Sequence, residues 1–170
     1  MRISIFVGVS IDGFLAHEDG GLEFLRPFEG VEHGYEEYMR TVDALVIGRA
    51  TYDTVLGFSS WPYAGKRVIV LTHRPLVTQH GETTHEGALA PLATRLAAEG
   101  HRHVYLDGGV AIRQGLDEEL VDDMTISTVP VTIGAGRPLF GGGPRTTGWT
   151  LRTARSYPNG LVQAHYERHG

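Results

Sequence analysis

The chain opens on an alternating pattern. In "ISIFVGVS", residues 3–10, Ile3, Ile5, Val7 and Val9 fall on one face and Ser4, Phe6, Gly8 and Ser10 on the other, the period of a β-strand. Gly8 leaves the second face open to close approach. Three later runs, "ALVI" (44–47), "RVIVL" (67–71) and "HVYL" (103–106), are short and continuously apolar, as in strands buried on both faces of a largely parallel sheet. Helical patterns separate them. Tyr35, Tyr38 and Met39 fall at i, i+3 and i+4 within residues 32–40, "ATYDTVL" follows the second strand, and Leu89, Leu92, Ala93 and Leu96 form one stripe that stops at Gly100. A fourth helix is expected after the glycine pair Gly108-Gly109. From residue 122 the pattern changes. "DDMTISTVPV", "TLRTARSY" and "LVQAHYER" read as strands without intervening helices, the last two joined through Pro158-Asn159-Gly160, a hairpin turn signal. The fold class is therefore α/β, with an antiparallel C-terminal hairpin on the sheet. The glycine-rich segment 134–148 reads as a connecting loop and the place where mobility is expected.

Composition narrows the partners. A chain of 170 residues, 41% hydrophobic, is one domain by default, spanning residues 1–170. Its formal net charge of −5 argues against a broad nucleic-acid footprint, so any basic cluster stands out. It has no cysteine, which excludes disulfides, thiolate metal sites and a cysteine nucleophile, and a cytoplasmic setting is expected. The N-terminal apolar run of about seven residues is too short and too interrupted for a signal peptide or membrane span. His101 and His103 before a strand lack acidic or thiolate companions in sequence, so no metal is expected.

In open α/β sheets ligands bind at the carboxyl ends of the strands, beside helix N-termini whose free N–H groups favour anions. The three buried strands end in "GRATYD" (48–53), "THRP" (72–75) and "DGGVAIRQ" (107–114). Arg49 and Thr51, at the start of a helix after Gly48, can converge on one phosphate, or be a helix cap with a solvated arginine. Thr72, His73 and Arg74 offer a hydroxyl and cationic donors, or form a polar loop. Gly108 and Gly109 offer bare backbone, or only a turn. Coincidence of all three at one sheet edge favours a dinucleotide site. No G-x-G-x-x-G follows the first strand, and cations stand where an acid would hold a ribose, which points to NADPH rather than NADH.

The succession "SIDGFLA" (10–16), "DALVIGRATYD" (43–53), "VIVLTHRP" (68–75), "LDGGVAIRQGL" (106–116) and "VDDMTISTVPVTIGAGRPLF" (121–140) resembles the dihydrofolate reductase superfamily. Within it, the chain is most similar to the branch holding the reductase domain of bacterial riboflavin biosynthesis and its stand-alone relatives. The resemblance implies a dihydrofolate reductase-like three-layer fold with a mixed sheet of about eight strands, and homodimers, which are common in that branch. It implies NADPH phosphates at Arg49 and Thr51, with Gly48 in the same turn, and the adenosine 2′-phosphate among Thr72, His73 and Arg74. It further implies the pyrophosphate at Gly108, Gly109, Val110 and Ala111, with Ile112 or Arg113 near the cofactor, and the nicotinamide beside Gly8, Leu15 and Ala16. The chain departs from dihydrofolate reductases in two places. No carboxylate clearly matches their proton-relay group in the helix before the second buried strand, and Lys66 stands at or beside their folate-tail arginine. It also lacks the deaminase half of the riboflavin enzyme, and Arg26 is the one candidate for a phosphoribosyl anchor.

The remaining candidates concern the substrate. Asp12, after the first strand, can orient a substrate or relay a proton, or be an Asp-Gly turn residue. Glu36 is an alternative proton donor, or part of a solvated helix face. Phe24, Tyr35, Tyr38 and Trp61 can wall a flat heterocycle, or belong to the core. The expected function is NADPH-dependent reduction of a small nitrogen heterocycle, with the ribosylaminopyrimidine of riboflavin biosynthesis as the named substrate. Dihydrofolate reduction and a non-catalytic NADPH-binding module are the alternatives.

Overall fold

Because the first strand alternates between two apolar sets, it feeds two cores. In the computed structural model, which describes residues 1–141 and 146–169, β1 (Arg2–Ser10) turns Ile3, Ile5, Val7 and Val9 to one side of the sheet and Phe6 to the other. The first side is closed by Leu89, Leu92 and Leu96 of α3 (Leu89–Ala98) and by Ala111 and Ile112 of α4 (Gly109–Asp117). The second is closed by Tyr52 and Val55 of α2 (Arg49–Leu56), with Tyr35, Tyr38 and Met39 of α1 (Tyr35–Thr41) packed against it. The continuously apolar runs become β3 (Ala44–Gly48), β4 (Arg67–Leu71) and β6 (His103–Asp107), which supply residues to both cores. Helix, sheet and helix thus form three layers. Each fully buried aliphatic side chain contributes about 1.5–3 kcal/mol.

The main sheet has eight strands in the order β5-β4-β3-β6-β1-β7-β10-β9, completed by β5 (Thr83–His85), β7 (Asp123–Val129), β9 (Trp149–Ser156) and β10 (Val162–Arg168). Pairing is parallel from β5 through β7 and antiparallel for β7–β10 and β10–β9. Neighbouring strands β3 and β6 pair in register, Ile47 opposite Asp107. From there the chain leaves in opposite directions: β3 continues through α2 to β4, and β6 through α4 to β7 on the far side of β1. A crevice at the carboxyl end of such a divergence is where open α/β sheets bind ligands.

Short pieces that the periodicity does not predict shape this edge. β2 (Phe14–Ala16) pairs with β8 (Arg137–Pro138) in a separate two-stranded sheet, and a 3-10 helix spans Glu23–Phe28. Part of the glycine-rich segment is therefore tied to β2 rather than free, while residues 142–145 of it lie outside the described residues. Phe24, expected to wall a substrate, is buried instead with Val129 and Leu161 in a small third core. Trp61 packs edge-on against Tyr52 and Tyr63 and stacks on His80 at 4.4 Å.

Candidate functional site

A cavity of about 440 Å³ opens at the carboxyl edge, between the β3–α2 and β6–α4 turns and beneath β2. Phe6 and Gly8, on one face of β1, form its floor, and Leu15 and Ala16 lie against it from β2. Absence of a side chain at Gly8 is used: a Cβ there would stand 3.3 Å from Leu25.

The two turns build an anion site. Gly48 and Gly108 are the N-caps of α2 and α4, and neither helix end has a side-chain capping bond, so the first-turn N–H groups of both are available to a ligand. Gly108 has φ of +86°, which favours glycine, and a Cβ on it would collide with the Thr51 hydroxyl. The two helix ends, from opposite layers, are thereby brought side by side, and Thr51, Gly108 and Gly109 all line the cavity. Val110 is exposed near Gly48, whereas Ala111 and Ile112 face the core with no exposed surface. The Ile112 N–H is already bonded to the Gly108 carbonyl, so Ile112 offers a ligand neither side chain nor donor. Ala111 keeps only its first-turn N–H for that purpose.

The side chains expected at the dinucleotide phosphates, Arg49 after β3 and the 2′-phosphate residues Thr72, His73 and Arg74 after β4, have unequal freedom. Arg49 is ion-paired with Asp53 one turn on, at 2.8 Å, and His73 Nδ1 is 2.8 Å from Glu86. The Thr72 hydroxyl and the Arg74 backbone close a small turn on each other at 3.1 Å, while the exposed Arg74 guanidinium forms no ion pair among the described residues.

Away from the helix ends the cavity turns aromatic. Tyr35, Tyr63 and Tyr105 line it around Asp107, the last residue of β6. The Asp107 carboxylate accepts from the Tyr63 hydroxyl at 3.3 Å and from the Gly108 N–H at 2.8 Å. Burial pushes its pKa up from the ordinary value, and these hydrogen bonds oppose the rise without cancelling it. The phenols of Tyr35, Tyr63 and Tyr105 are raised too, first by burial and then by the nearby carboxylate, so they stay protonated as donors. A carboxyl group of raised pKa among protonated phenols is suited to proton transfer. Asp107 is not among the proton donors the sequence offers; its place before two glycines at a strand end is the signal for it.

Of the other expected residues, Tyr35 lines the cavity, and Phe24, Trp61, Asp12 and Glu36 do not. Glu36 lies on the solvent face of α1, 3.8 Å from Arg40. Asp12 accepts from the N–H groups of Ile133 and Gly134, at 3.2 and 2.7 Å, and so clasps the segment before β8 to the end of β1. Its pKa is lowered, first by the Ser10 hydroxyl and then by those N–H groups. Lys66 donates to the Met39 and Val42 carbonyls at 2.7 Å each and finishes α1. Two further side chains of the rim, His33 and Arg137, are not among the candidates that the sequence offers. Among the described residues no group of three or more His, Asp or Glu is placed to hold a metal, and no helix is long and apolar enough to cross a membrane.

Known proteins share this fold. The family model for the RibD C-terminal domain matches residues 2–163. The uncharacterised protein YwjB of Bacillus subtilis is 33% identical over 169 residues, covering 96% of each chain. Among solved structures, a putative riboflavin biosynthesis protein from Shewanella sp. PV-4 superimposes with a TM-score of 0.91 at 33% identity, covering 100% of both chains. Acinetobacter baumannii RibD shares the fold, with a TM-score of 0.72 at 15% identity over 99% of this chain and 58% of its own. The three-layer architecture, eight-stranded sheet and antiparallel C-terminal strands are those of the dihydrofolate reductase-like fold. The chain belongs to the RibD C-terminal domain family.

Proposed function

We propose that this chain is an NADPH-dependent reductase of a small nitrogen heterocycle, with 5-amino-6-(5-phosphoribosylamino)uracil as its substrate. The observation that carries the reading is the pair of uncapped helix N-termini brought together by Gly108 at the mouth of an aromatic cavity. Such a pair fits the phosphates of a dinucleotide: the donors are there, and a Cβ would fill the cradle. NADPH, when bound, supplies a hydride to an electrophilic carbon. The residues of this chain bind, orient and protonate. First-turn N–H groups of α2 and α4 and the Thr51 hydroxyl hold the pyrophosphate, and Arg74 takes the 2′-phosphate. Gly8 and Ala16 leave a slot for a flat ring beside β1, and the Phe6 and Tyr35 rings wall the heterocycle. The Asp107 carboxyl gives a proton to the heteroatom that gains charge as the hydride arrives. Asp12 positions the wall that carries Arg137. The same proposal includes a homodimer, which sedimentation velocity of the full chain tests.

The experiment is loss of NADPH absorbance with the purified chain and either the ribosylaminopyrimidine phosphate or dihydrofolate. Oxidation with the pyrimidine supports the proposal. Oxidation with dihydrofolate alone reassigns the substrate, and binding of NADPH without turnover of either makes the chain a binding module.

A further inference from the structure

Arg137 stands in the cavity wall without a carboxylate to balance it. Among the described lining residues it is the only lysine or arginine, facing a wall whose acidic members are Glu29 and Asp107. Its Nε and Nη2 each lie 3.4 Å from the Glu18 carbonyl, near the long limit of a hydrogen bond, and it forms no ion pair among the described residues. Most of the donor fork of this guanidinium is thus unspent. A guanidinium offers five N–H groups in one plane and binds phosphate or carboxylate through two parallel bonds.

The surrounding backbone is shaped to hold it. Gly20, at φ +92°, lies under the guanidinium, whose atoms would be 3.3–3.4 Å from a Cβ there. At Gly136 a Cβ would collide with the Ala16 carbonyl, so a bare backbone lets β8 close on β2. Arg137 then pairs with Ala16 and Pro138 with Phe14. Three further ties hold the strand: the Asp12 carboxylate on Ile133 and Gly134, the Leu139 N–H on the Gly13 carbonyl at 2.9 Å, and Arg113 on the Pro138 carbonyl at 2.8 Å. The strand that carries Arg137 is thereby held in place, and the exposed guanidinium stands at the cavity rim over Gly20.

The helix N-termini and Arg74 already answer the charges of a dinucleotide. We infer that Arg137 receives the acidic group of the second ligand, a phosphate monoester on the ribose of a pyrimidine substrate. The inference rests on the cavity being the substrate site of a reductase, and it supplies the phosphoribosyl anchor for which the sequence offered only Arg26.

Calorimetric titration of the full chain, in excess NADP+, with uridine 5′-monophosphate and with uridine reads this receptor without requiring turnover. The nucleotide is expected to bind about tenfold or more tightly than the nucleoside, the scale of a charge-assisted pair of hydrogen bonds. Arg137→Gln is expected to erase the difference, and Arg137→Lys to keep part of it. Equal affinities in the parent, binding of neither ligand, or a preference that survives in Arg137→Gln overturns the inference. So does a drop in NADP+ affinity in Arg137→Gln as large as the loss for the nucleotide, which assigns the arginine to the dinucleotide. Circular dichroism matching the parent shows that each variant is folded. A phosphate preference that depends on Arg137, with no NADPH oxidation on the ribosylaminopyrimidine phosphate, keeps the receptor and discards the reductase.

Discussion

Asp107 carries two demands that conflict, and the conflict is measurable. Burial raises its pKa in the folded protein above its value in the unfolded chain. The stability this gives is fully present below the unfolded value and is lost as pH rises through the folded one, because the ionised form is the one that burial penalises. Asp107→Asn keeps Oδ1 as acceptor for the Gly108 N–H, turns its amide N–H to donate to the Tyr63 hydroxyl oxygen, and removes that loss. Its melting temperature at neutral pH should exceed the parent's, with the gap closing as the solution is acidified, while turnover falls by about 10² to 10⁴-fold, as for a lost general acid. A variant that melts below the parent at neutral pH would contradict the burial argument. Gly108 is tested in the same way. Gly108→Ala places a Cβ on the Thr51 hydroxyl in a backbone conformation costing about 1–3 kcal/mol for other residues, so dinucleotide affinity measured by fluorescence quenching should fall at least about tenfold.

Elements are where the sequence was most and least legible. β1, β3, β4 and β6 follow directly from alternation and from unbroken apolar runs, because burial on one face or on both leaves a period that survives in the residue order. β2, β5 and β8 span three, three and two residues, too few to show a period, and are defined by distant partners. Arg137 is illegible in the sequence for that reason: contacts with residues more than a hundred positions away, the β2–β8 pairing among them, bring it to the cavity. Ile112 shows the opposite failure. A helix entering from a glycine turn lends its first N–H groups to a ligand, but by its fourth residue the side chain has turned to the core. Ile112→Ala should cost about 2–5 kcal/mol of stability by chemical denaturation and leave NADPH affinity unchanged in the folded protein. A fall in affinity with unchanged stability would return Ile112 to the cofactor site.

At the scale of the whole molecule, the two halves of the sheet meet in a buried polar link on β1 and β6. Ser4 lies 2.6 Å from His103 Nε2 and 2.7 Å from the Tyr38 hydroxyl, and His103 Nδ1 reaches the Thr41 hydroxyl at 2.9 Å. Burial, followed by the charge of Arg2, lowers the His103 pKa, so the folded state favours the neutral ring. That stability is present above the unfolded value of 6.5 and is lost as pH falls through the lower folded value. The urea midpoint should drop over this window in the parent, and less steeply in His103→Gln; identical slopes would refute the link. The same architecture sets α2 and α4 in opposite layers with their N-termini at one crevice, and the central claim is that this crevice holds a phosphorylated dinucleotide. Titration calorimetry with NADPH and NADH, on the parent and on Arg74→Ala, tests it most directly. One NADPH should bind per chain, more tightly than NADH, with the substitution removing most of that preference. Absence of NADPH binding, or equal losses for the two dinucleotides in Arg74→Ala, would contradict it.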